Sequence, residues 1–228
     1  MMKQNRSRTT WILGAVMLSL VVLPFAAHAQ DEKHSRQTFE VTITNLTKGQ
    51  ILSPPIVFSH RNHYELFTPG EAAIPELASV AEDAASDDLL ALLGVEPLVG
   101  DVSIAGGGVM PGESMTVEIQ TNWGFRKITA LGMLVTSNDA FYADTTWVQS
   151  HGRTIYAQAW DAGSEANTQS CDHIPGPPCG SPGERVEDGA EGYIYPHAGI
   201  QARGDLDPEF HDWNNPVAKI EIKRAHRR

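Results

Sequence analysis

Alternating apolar and polar residues are the strongest pattern in this chain, and such alternation predicts β-strands. It is clearest in the segment 38–46, TFEVTITNL, where Phe39, Val41 and Ile43 share one face of the predicted strand. Similar segments follow at 99–105, 114–121, 126–135, 153–160, 192–197 and 217–223. Because 126–135 becomes nearly all apolar in its second half, we expect a central strand that is buried on both faces.

Two stretches depart from this pattern. The segment 75–93 is rich in Ala, Leu, Glu and Asp with apolar residues at helical spacing, which predicts one or two helices capped by Gly94. The segment 50–58 contains Pro54 and Pro55, which favour an edge or irregular segment because proline donates no ladder hydrogen bond. Seven or eight strands with a short helical insertion indicate an all-β fold, an antiparallel β-sandwich.

The amino terminus has the order of a secretory signal peptide at 1–29. Three basic residues precede an apolar run at 11–26, and the small residues Ala27 and Ala29 mark a cleavage site before Gln30. The alternative is an uncleaved membrane anchor, because the run is close to the minimum spanning length. Cleavage is favoured, so we predict a secreted or periplasmic protein that is not an integral membrane protein once processed.

The processed chain is long enough for one domain with a hydrophobic core. We expect a flexible leader at 30–37, one domain at 38–224 and a basic tail at 225–228. The segment 1–29 holds three of the 17 Lys and Arg residues and no Asp or Glu, so the rest has a formal net charge of −14. That charge repels phosphate backbones, and we therefore expect no nucleic-acid partner.

The two cysteines bracket a loop rich in proline and glycine. Outside the cytoplasm, Cys171 and Cys179 are predicted to form a disulfide because they lie close together in the sequence. The alternative is a metal site formed by Cys171, His173 and Cys179, which lacks a fourth ligand at a recognisable spacing. Two further histidines, His60 and His63, are expected to be solvated loop residues, and the alternative is that their spacing places both on one helix face as metal ligands.

Acidic residues follow two of the predicted strands. Asp139 comes after the strand at 126–135, and Asp161 and Glu165 come after the strand at 153–160. If the chain between these strands runs back along the sandwich, all three carboxylates meet at one edge. Like charges in one site raise one another's pKa, and a calcium ion relieves that repulsion. The alternative is that these residues are solvated turn formers.

The motifs around these carboxylates resemble those of spondin domains, the N-terminal module of the F-spondin family of matrix proteins. NDAFYA and YAQAWDAGSEAN are similar to the family's two core segments, which read close to S-x-D-x-F and Y-D-A-G-T-D/E. TFEVTITNLTKGQILSPP, ELASVAEDAASDDLLALL, PGESMTVEI and GDLDPEFHDWNNPVAKIEI resemble the bacterial branch. The resemblance covers about 38–224.

The resemblance implies a C2-like β-sandwich that holds Ca²⁺ through Asp139, Asp161 and Glu165. The third position is commonly Asp in the animal proteins, and the longer Glu side chain still reaches an ion. This chain has none of the further modules of the animal proteins, such as thrombospondin repeats, so their matrix role is not transferred to it.

These observations predict a non-enzymatic binding or adhesion module whose partner is a protein, a surface or a polymer. The alternative is a metal-dependent hydrolase that uses ligand-type residues near the carboxyl terminus, with Tyr195 and Trp213 as stacking surfaces. Those ligand-type residues are His197, Asp205, Asp207, His211 and Asp212. A structural exported protein without an ion is a third possibility.

Overall fold

The computed structural model describes residues 36–225, which form a sandwich of two antiparallel sheets. Within these residues the strands are β1 (Gln37–Asn45), β2 (Ile56–His60), β3 (Val99–Ile104), β4 (Ser114–Thr121), β5 (Lys127–Met133), β6 (Ala140–Trp147), β7 (Arg153–Ala157), β8 (Ala159–Asp161), β9 (Tyr195–Pro196) and β10 (Ala218–Arg224). The helices are α1 (Pro75–Asp83), α2 (Asp87–Val95) and the short α3 (Pro208–His211). The predicted all-β sandwich is confirmed. The predicted signal peptide at 1–29 lies outside the described residues.

The smaller sheet has the strand order β4-β1-β10-β7 and supplies one face of the central core. In β1, Phe39, Val41 and Ile43 are buried, as the alternation predicts. Val41 lies in register with Val117 of β4 and Ile222 of β10, which are also buried. The apolar alternation of three separate segments thus builds one continuous hydrophobic face.

The larger sheet has the order β3-β2-β5-β6-β8-β9, and it is covered on both faces. Ile128 and Ala130 of β5 pack in the core between the sheets, whereas Leu131 packs in a second core beneath α1 and α2. Leu77 and Leu89 of these helices are fully buried in that second core. The prediction of a strand buried on both faces is confirmed, and the helical insertion provides the second cover.

The predicted helical segment forms two helices rather than one. α1 ends where Ala84 takes a left-handed conformation with φ 56° and donates its N–H to Val80 O at 3.0 Å. The predicted cap at Gly94 is wrong, because Gly94 lies inside α2 and the chain leaves the helix in an extended conformation at Glu96. A non-glycine residue therefore makes the left-handed turn in this insertion.

The segment 50–58 was predicted to be an edge strand or irregular, but its last three residues belong to β2. This strand lies between β3 and β5 and is therefore not an edge strand. Both prolines precede Ile56, the first residue of β2, so they remove no hydrogen bond from the ladder. The expectation of a solvated His60 is also wrong. His60 is buried in β2, and its Nε2 lies 2.8 Å from Thr129 Oγ1. Burial lowers the pKa of His60.

The segment predicted as a single strand at 153–160 forms two strands in different sheets. In β7, Ala157 pairs with Ala218 of the smaller sheet, and in β8, Ala159 pairs with Tyr142 of the larger sheet. The chain crosses between the sheets at Gln158. This crossing lets β8 run beside β6.

The long loop after β8 contains the disulfide. Cys171 and Cys179 are bonded to each other, as predicted. The alternative metal site is wrong, because both sulfur atoms are in the disulfide and His173 Nδ1 lies 2.9 Å from Glu184 O. Among residues 36–225 no helix has the length and apolar character needed to cross a membrane.

Candidate functional site

The pairing of β6 with β8 brings two of the predicted acidic residues together. Ala140, the first residue of β6, lies in register with Asp161, the last residue of β8. Ala162 donates its N–H to Asp139 O at 3.1 Å, which joins the residues just outside the two strands. Asp139 and Asp161 therefore lie side by side at one end of the larger sheet, which we call the carboxylate end.

A tight turn after β8 adds Glu165 to this group. Gly163 has φ 64°, and its N–H donates to Asp161 Oδ1 at 2.8 Å. A Cβ at position 163 would overlap the backbone of Tyr193, so glycine is required both for conformation and for space. The turn directs the N–H groups of Ser164 and Glu165 toward Asp139. We call Asp139, Asp161 and Glu165 the carboxylate cluster.

Asp139 has one fully used oxygen and one unused oxygen. Its Oδ2 accepts from Ser164 N at 2.9 Å, Ser164 Oγ at 3.3 Å and Glu165 N at 3.1 Å. Its Oδ1 is buried and has no hydrogen-bond partner among the described residues. A buried carboxylate oxygen without a partner is costly, and native proteins rarely keep one without a reason.

Asp161 is held by neutral groups. Its Oδ1 accepts from Gly163, and its Oδ2 accepts from Asn167 Nδ2 at 2.6 Å. His197 Nε2 lies 3.6 Å from that Oδ2, but burial lowers the pKa of His197 to about 4. The N–H of Gly199 donates to His197 Nδ1, so the proton of this neutral imidazole is on Nε2. His197 therefore brings no positive charge to Asp161 near neutral pH.

Glu165 completes the cluster and is also short of positive charge. It is 2 % exposed, and Asn138 Nδ2 lies 3.4 Å from its Oε1. The nearby guanidinium of Arg185 is bound to Glu82 of α1, with Nη2 at 2.6 Å from Oε2. Glu82 is itself buried, so this pairing leaves little of the positive charge of Arg185 for the cluster.

Burial dominates the electrostatics of the cluster. It raises the pKa of Asp139 well above its usual range, the pKa of Asp161 to about 6 and the pKa of Glu165 to about 8. The charges of Asp161 and Glu165 raise the pKa of Asp139 further. Near neutral pH the cluster therefore binds protons, or it requires a cation in their place.

The fit to a cation is partial. In the described part of the chain, no three His, Cys, Asp or Glu side chains are grouped closely enough to hold a metal ion by themselves. Asp139 Oδ1 is the unengaged ligand atom, whereas the oxygens of Asp161 accept from N–H groups. Calcium takes six to eight oxygens and accepts backbone and amide carbonyls beside carboxylates. The oxygen-only cluster suits a hard cation if carbonyl oxygens complete the ligand set.

A polar pocket of 230 Å³ adjoins the cluster and is lined in part by Asn167, Gln169, Tyr195 and His197. Asn167 lies between the two sites, because its amide donates to Asp161 and its Oδ1 lies 3.1 Å from His197 Nε2. Gln169, which lines this pocket, has φ 56°, a conformation that is uncommon outside glycine.

No protein-family model matches this chain, and no curated protein matches it significantly. The resemblance to spondin domains therefore rests on the motifs quoted above, and the function has to be argued from the geometry of the carboxylate end.

The residues of the alternative hydrolase site make local hydrogen bonds. Asp205 Oδ2 accepts from Cys171 N at 2.9 Å, Asp207 caps α3 through Glu209 N at 2.9 Å, and Asp212 Oδ1 accepts from Ile200 N at 2.9 Å. His211 Nδ1 is buried without a hydrogen-bond partner among residues 36–225. These contacts stabilise the long loop and assemble no set of ligands around one point.

The sequence does not assign several residues to the surroundings of the cluster. Asn138, Asn167 and His197 orient the carboxylates, and Glu82 occupies the nearby Arg185. His197 was singled out only for the alternative hydrolase site, and Glu82 comes from α1, far away in the sequence. Asn138, directly before Asp139, is the residue of this group that the sequence places near the cluster.

Proposed function

We propose that this protein is an exported, calcium-stabilised β-sandwich that acts as a non-enzymatic binding module. The observation that carries the proposal is the buried Asp139 Oδ1, which has no hydrogen-bond partner in the described chain and lies in a cluster with Asp161 and Glu165. A calcium ion would be held by these three carboxylates together with carbonyl oxygens, and it would supply the positive charge that the surroundings lack.

Two features support export. The sequence at 1–29 has the organisation of a signal peptide, and the Cys171–Cys179 disulfide is the kind of bond that persists in oxidising compartments. Calcium is also the hard cation expected outside the cytoplasm. The spondin-like motifs point in the same direction, because the acidic residues of both motifs belong to the cluster.

A binding role is favoured over catalysis because the cluster is closed to substrates. Asp139 and Asp161 are 0 % exposed and Glu165 is 2 % exposed, so none presents a carboxylate to a reacting group in solution. The ion would fix the turn after β8 and thereby shape the adjoining polar pocket. A partner protein, surface or polymer would bind to the loops at this end. The hydrolase alternative gains no support from the contacts of His197, Asp205, Asp207 and Asp212.

The experiment is thermal unfolding of residues 30–228 in saturating calcium and in a chelator. Calcium at about a hundred times its dissociation constant stabilises a folded protein by about 2.7 kcal/mol. For a domain of this size we expect the midpoint to rise by about 5–10 °C. The rise should vanish in Asp161→Asn, which keeps the shape of the side chain but removes its charge.

The matched control is Asp144→Asn, which changes a half-buried carboxylate of β6 away from the cluster. This variant should keep the full calcium-dependent rise. The proposal is wrong if protein shown by metal analysis to be calcium-free melts at the same temperature with and without added calcium. It is equally wrong if Asp161→Asn and Asp144→Asn respond alike.

A further inference from the structure

The end of the sandwich opposite the carboxylate end carries most of the positive charge in the described chain. On the smaller sheet the cations are Arg36, Arg153, Lys223 and Arg224. On the larger sheet they are Arg61, Arg126 and Lys127. The strand registers place them together, because Arg224 pairs with Phe39 near the start of β1 and Lys127 pairs with Trp147 at the end of β6. We call this surface the basic end.

Six of the seven cations of the basic end are exposed, whereas Lys127 is half-buried and its Nζ donates to Asn62 O at 3.3 Å. Among these seven cations, only Lys223 has a carboxylate of residues 36–225 within ion-pair distance. Its Nζ lies 3.6 Å from Glu221 Oε1. That carboxylate is shared, because Lys219 Nζ lies 2.9 Å from Glu221 Oε2. On a protein whose processed chain is strongly acidic, a concentration of exposed cations at one end attracts an anionic partner to that end.

Large aromatic side chains are exposed among these cations. Trp123, on the short turn between β4 and β5, is 76 % exposed, and Trp147 is 48 % exposed. Lys127 Nζ lies 5.8 Å from the centre of the Trp147 ring, and the Arg61 guanidinium lies 4.7 Å from the Phe125 ring. Exposed tryptophan surrounded by Lys and Arg is characteristic of surfaces that rest at the interface of a membrane with water.

A recess at the basic end, next to the end of β10, offers room for a single anionic group. It has a volume of 370 Å³ and is lined by Ser150, His151, Gly152, Lys223, Arg224 and Ala225. Among the residues that line the recess, Lys223 and Arg224 carry positive charge and Ser150 has a hydroxyl group. A lipid phosphate fits this chemistry, since it is small, anionic and rich in hydrogen-bond acceptors.

We infer that the basic end docks on a bilayer that contains anionic phospholipids. The cations would contact lipid phosphates, and Trp123 and Trp147 would enter the headgroup region. The exposure of Trp123 on a turn favours a lipid surface over a flat polymer platform. Because the carboxylate cluster lies at the other end of β5 and β6, this docking requires no calcium and is independent of the function proposed above.

The test is co-sedimentation of residues 30–228, which contain both hydrophobic cores, with vesicles in a chelating buffer. One vesicle population is pure phosphatidylcholine, and the other contains one part phosphatidylglycerol to about three parts phosphatidylcholine. We expect binding to the anionic vesicles only, weakening as salt is raised. Each membrane-proximal cation contributes about fivefold to binding, so Arg126→Glu with Lys127→Glu should weaken it by at least about 25-fold.

Matched controls separate the basic end from overall charge and hydrophobicity. Lys48→Glu with Arg203→Glu changes the net charge equally at other positions and should leave vesicle binding intact. Trp123→Ser should weaken binding, whereas Phe210→Ser, at an exposed aromatic residue on α3, should not. No binding to anionic vesicles, or equal losses in the paired variants, would overturn the inference. Retention on dextran sulfate without vesicle binding would also overturn it and would indicate a polyanionic polymer as partner.

Discussion

At the carboxylate end three acidic side chains are at most 2 % exposed, whereas at the basic end the charged groups lie on the surface among exposed tryptophans. Both ends belong to the same pair of strands, β5 and β6, which run from one to the other. Burying an unpaired charge costs several kcal/mol, whereas an exposed charge is solvated at little cost. The buried carboxylates at one end of the sandwich should therefore affect its stability. The exposed cations at the other end should affect its association with partners.

This difference in burial assigns different roles to the charged residues of the two ends. The acidic residues are positioned by backbone N–H groups and by a glycine turn, so changes there should alter stability and ion binding together. The basic residues lie at strand ends and in turns, so changes there should alter association with a partner and leave stability nearly unchanged.

The largest effect should come from the turn that builds the carboxylate end. Gly163→Ala introduces a Cβ into the backbone of Tyr193 and forces a non-glycine residue to a positive φ. We expect a loss of about 3–4 kcal/mol in the free energy of unfolding, measured by urea denaturation, together with loss of the calcium response.

The matched control for that turn is Gly192→Ala. Gly192 has φ 78°, but no atom lies within 4 Å of a Cβ built at this position. This variant should lose only about 1 kcal/mol, which reflects the conformation alone. Equal losses in the two variants would show that close packing against Tyr193 does not hold the turn in place.

The pH dependence of stability should be the next largest effect. Burial raises the pKa of Glu165 to about 8 and raises the pKa of Asp139, so both bind protons more tightly in the folded than in the unfolded protein. Their contribution to stability is present at low pH and is lost as the pH rises through the folded pKa values. In chelator the unfolding midpoint should therefore fall between pH 6.5 and pH 9.

His197 and His60 have the opposite linkage, because burial lowers the pKa of both. Unfolded histidine loses its proton around pH 6.5, so this opposite effect is confined to the lower part of the window and the decline should be clearest above about pH 7.5. Glu165→Gln should flatten the decline. Added calcium should raise the midpoint more at pH 9 than at pH 6.5, because the ion competes with protons for the carboxylates. A calcium effect that is independent of pH would argue against the cluster as the ion site.

The smallest effect should come from the basic end. Arg153→Ala and Arg126→Ala remove exposed charges that form no ion pair within residues 36–225, so each should change the free energy of unfolding by less than about 0.5 kcal/mol. Urea denaturation of the two variants measures this. A loss above about 2 kcal/mol in either would mean that the cation supports the fold, and the contrast between the two ends would fail.

The fold was largely predictable where inward and outward residues alternate. The alternation of apolar and polar residues correctly predicted β1, β4 and β10, because each of these strands has one buried face and one more exposed face. β2 escaped prediction because its polar residues are buried: Ser59 donates to Gln120 O at 2.7 Å, and His60 contacts Thr129. The division of the predicted strand 153–160 into β7 and β8 at Gln158 was not predictable either. The alternation of apolar and polar residues continues through Gln158, although the chain passes there from the smaller to the larger sheet.

Part of the carboxylate end was predictable from the order of strands. The expectation that Asp139 and Asp161 meet required only that the intervening chain run back along the sheet, which β6 does. The environment of the cluster was not predictable in the same way. The neutral state of His197 and the pairing of Arg185 with Glu82 depend on contacts between residues far apart in the sequence.

The most direct test of the central claim is calorimetric titration of calcium into chelator-treated residues 30–228 at pH 8. We expect one ion to bind per chain in the parent protein and in Asp144→Asn, and none in Asp139→Asn. The last variant keeps an acceptor for the N–H groups of Ser164 and Glu165 but removes the charge of the carboxylate that holds the unpartnered oxygen. Absence of binding to protein shown to be calcium-free, or equal binding to Asp139→Asn, would contradict the account.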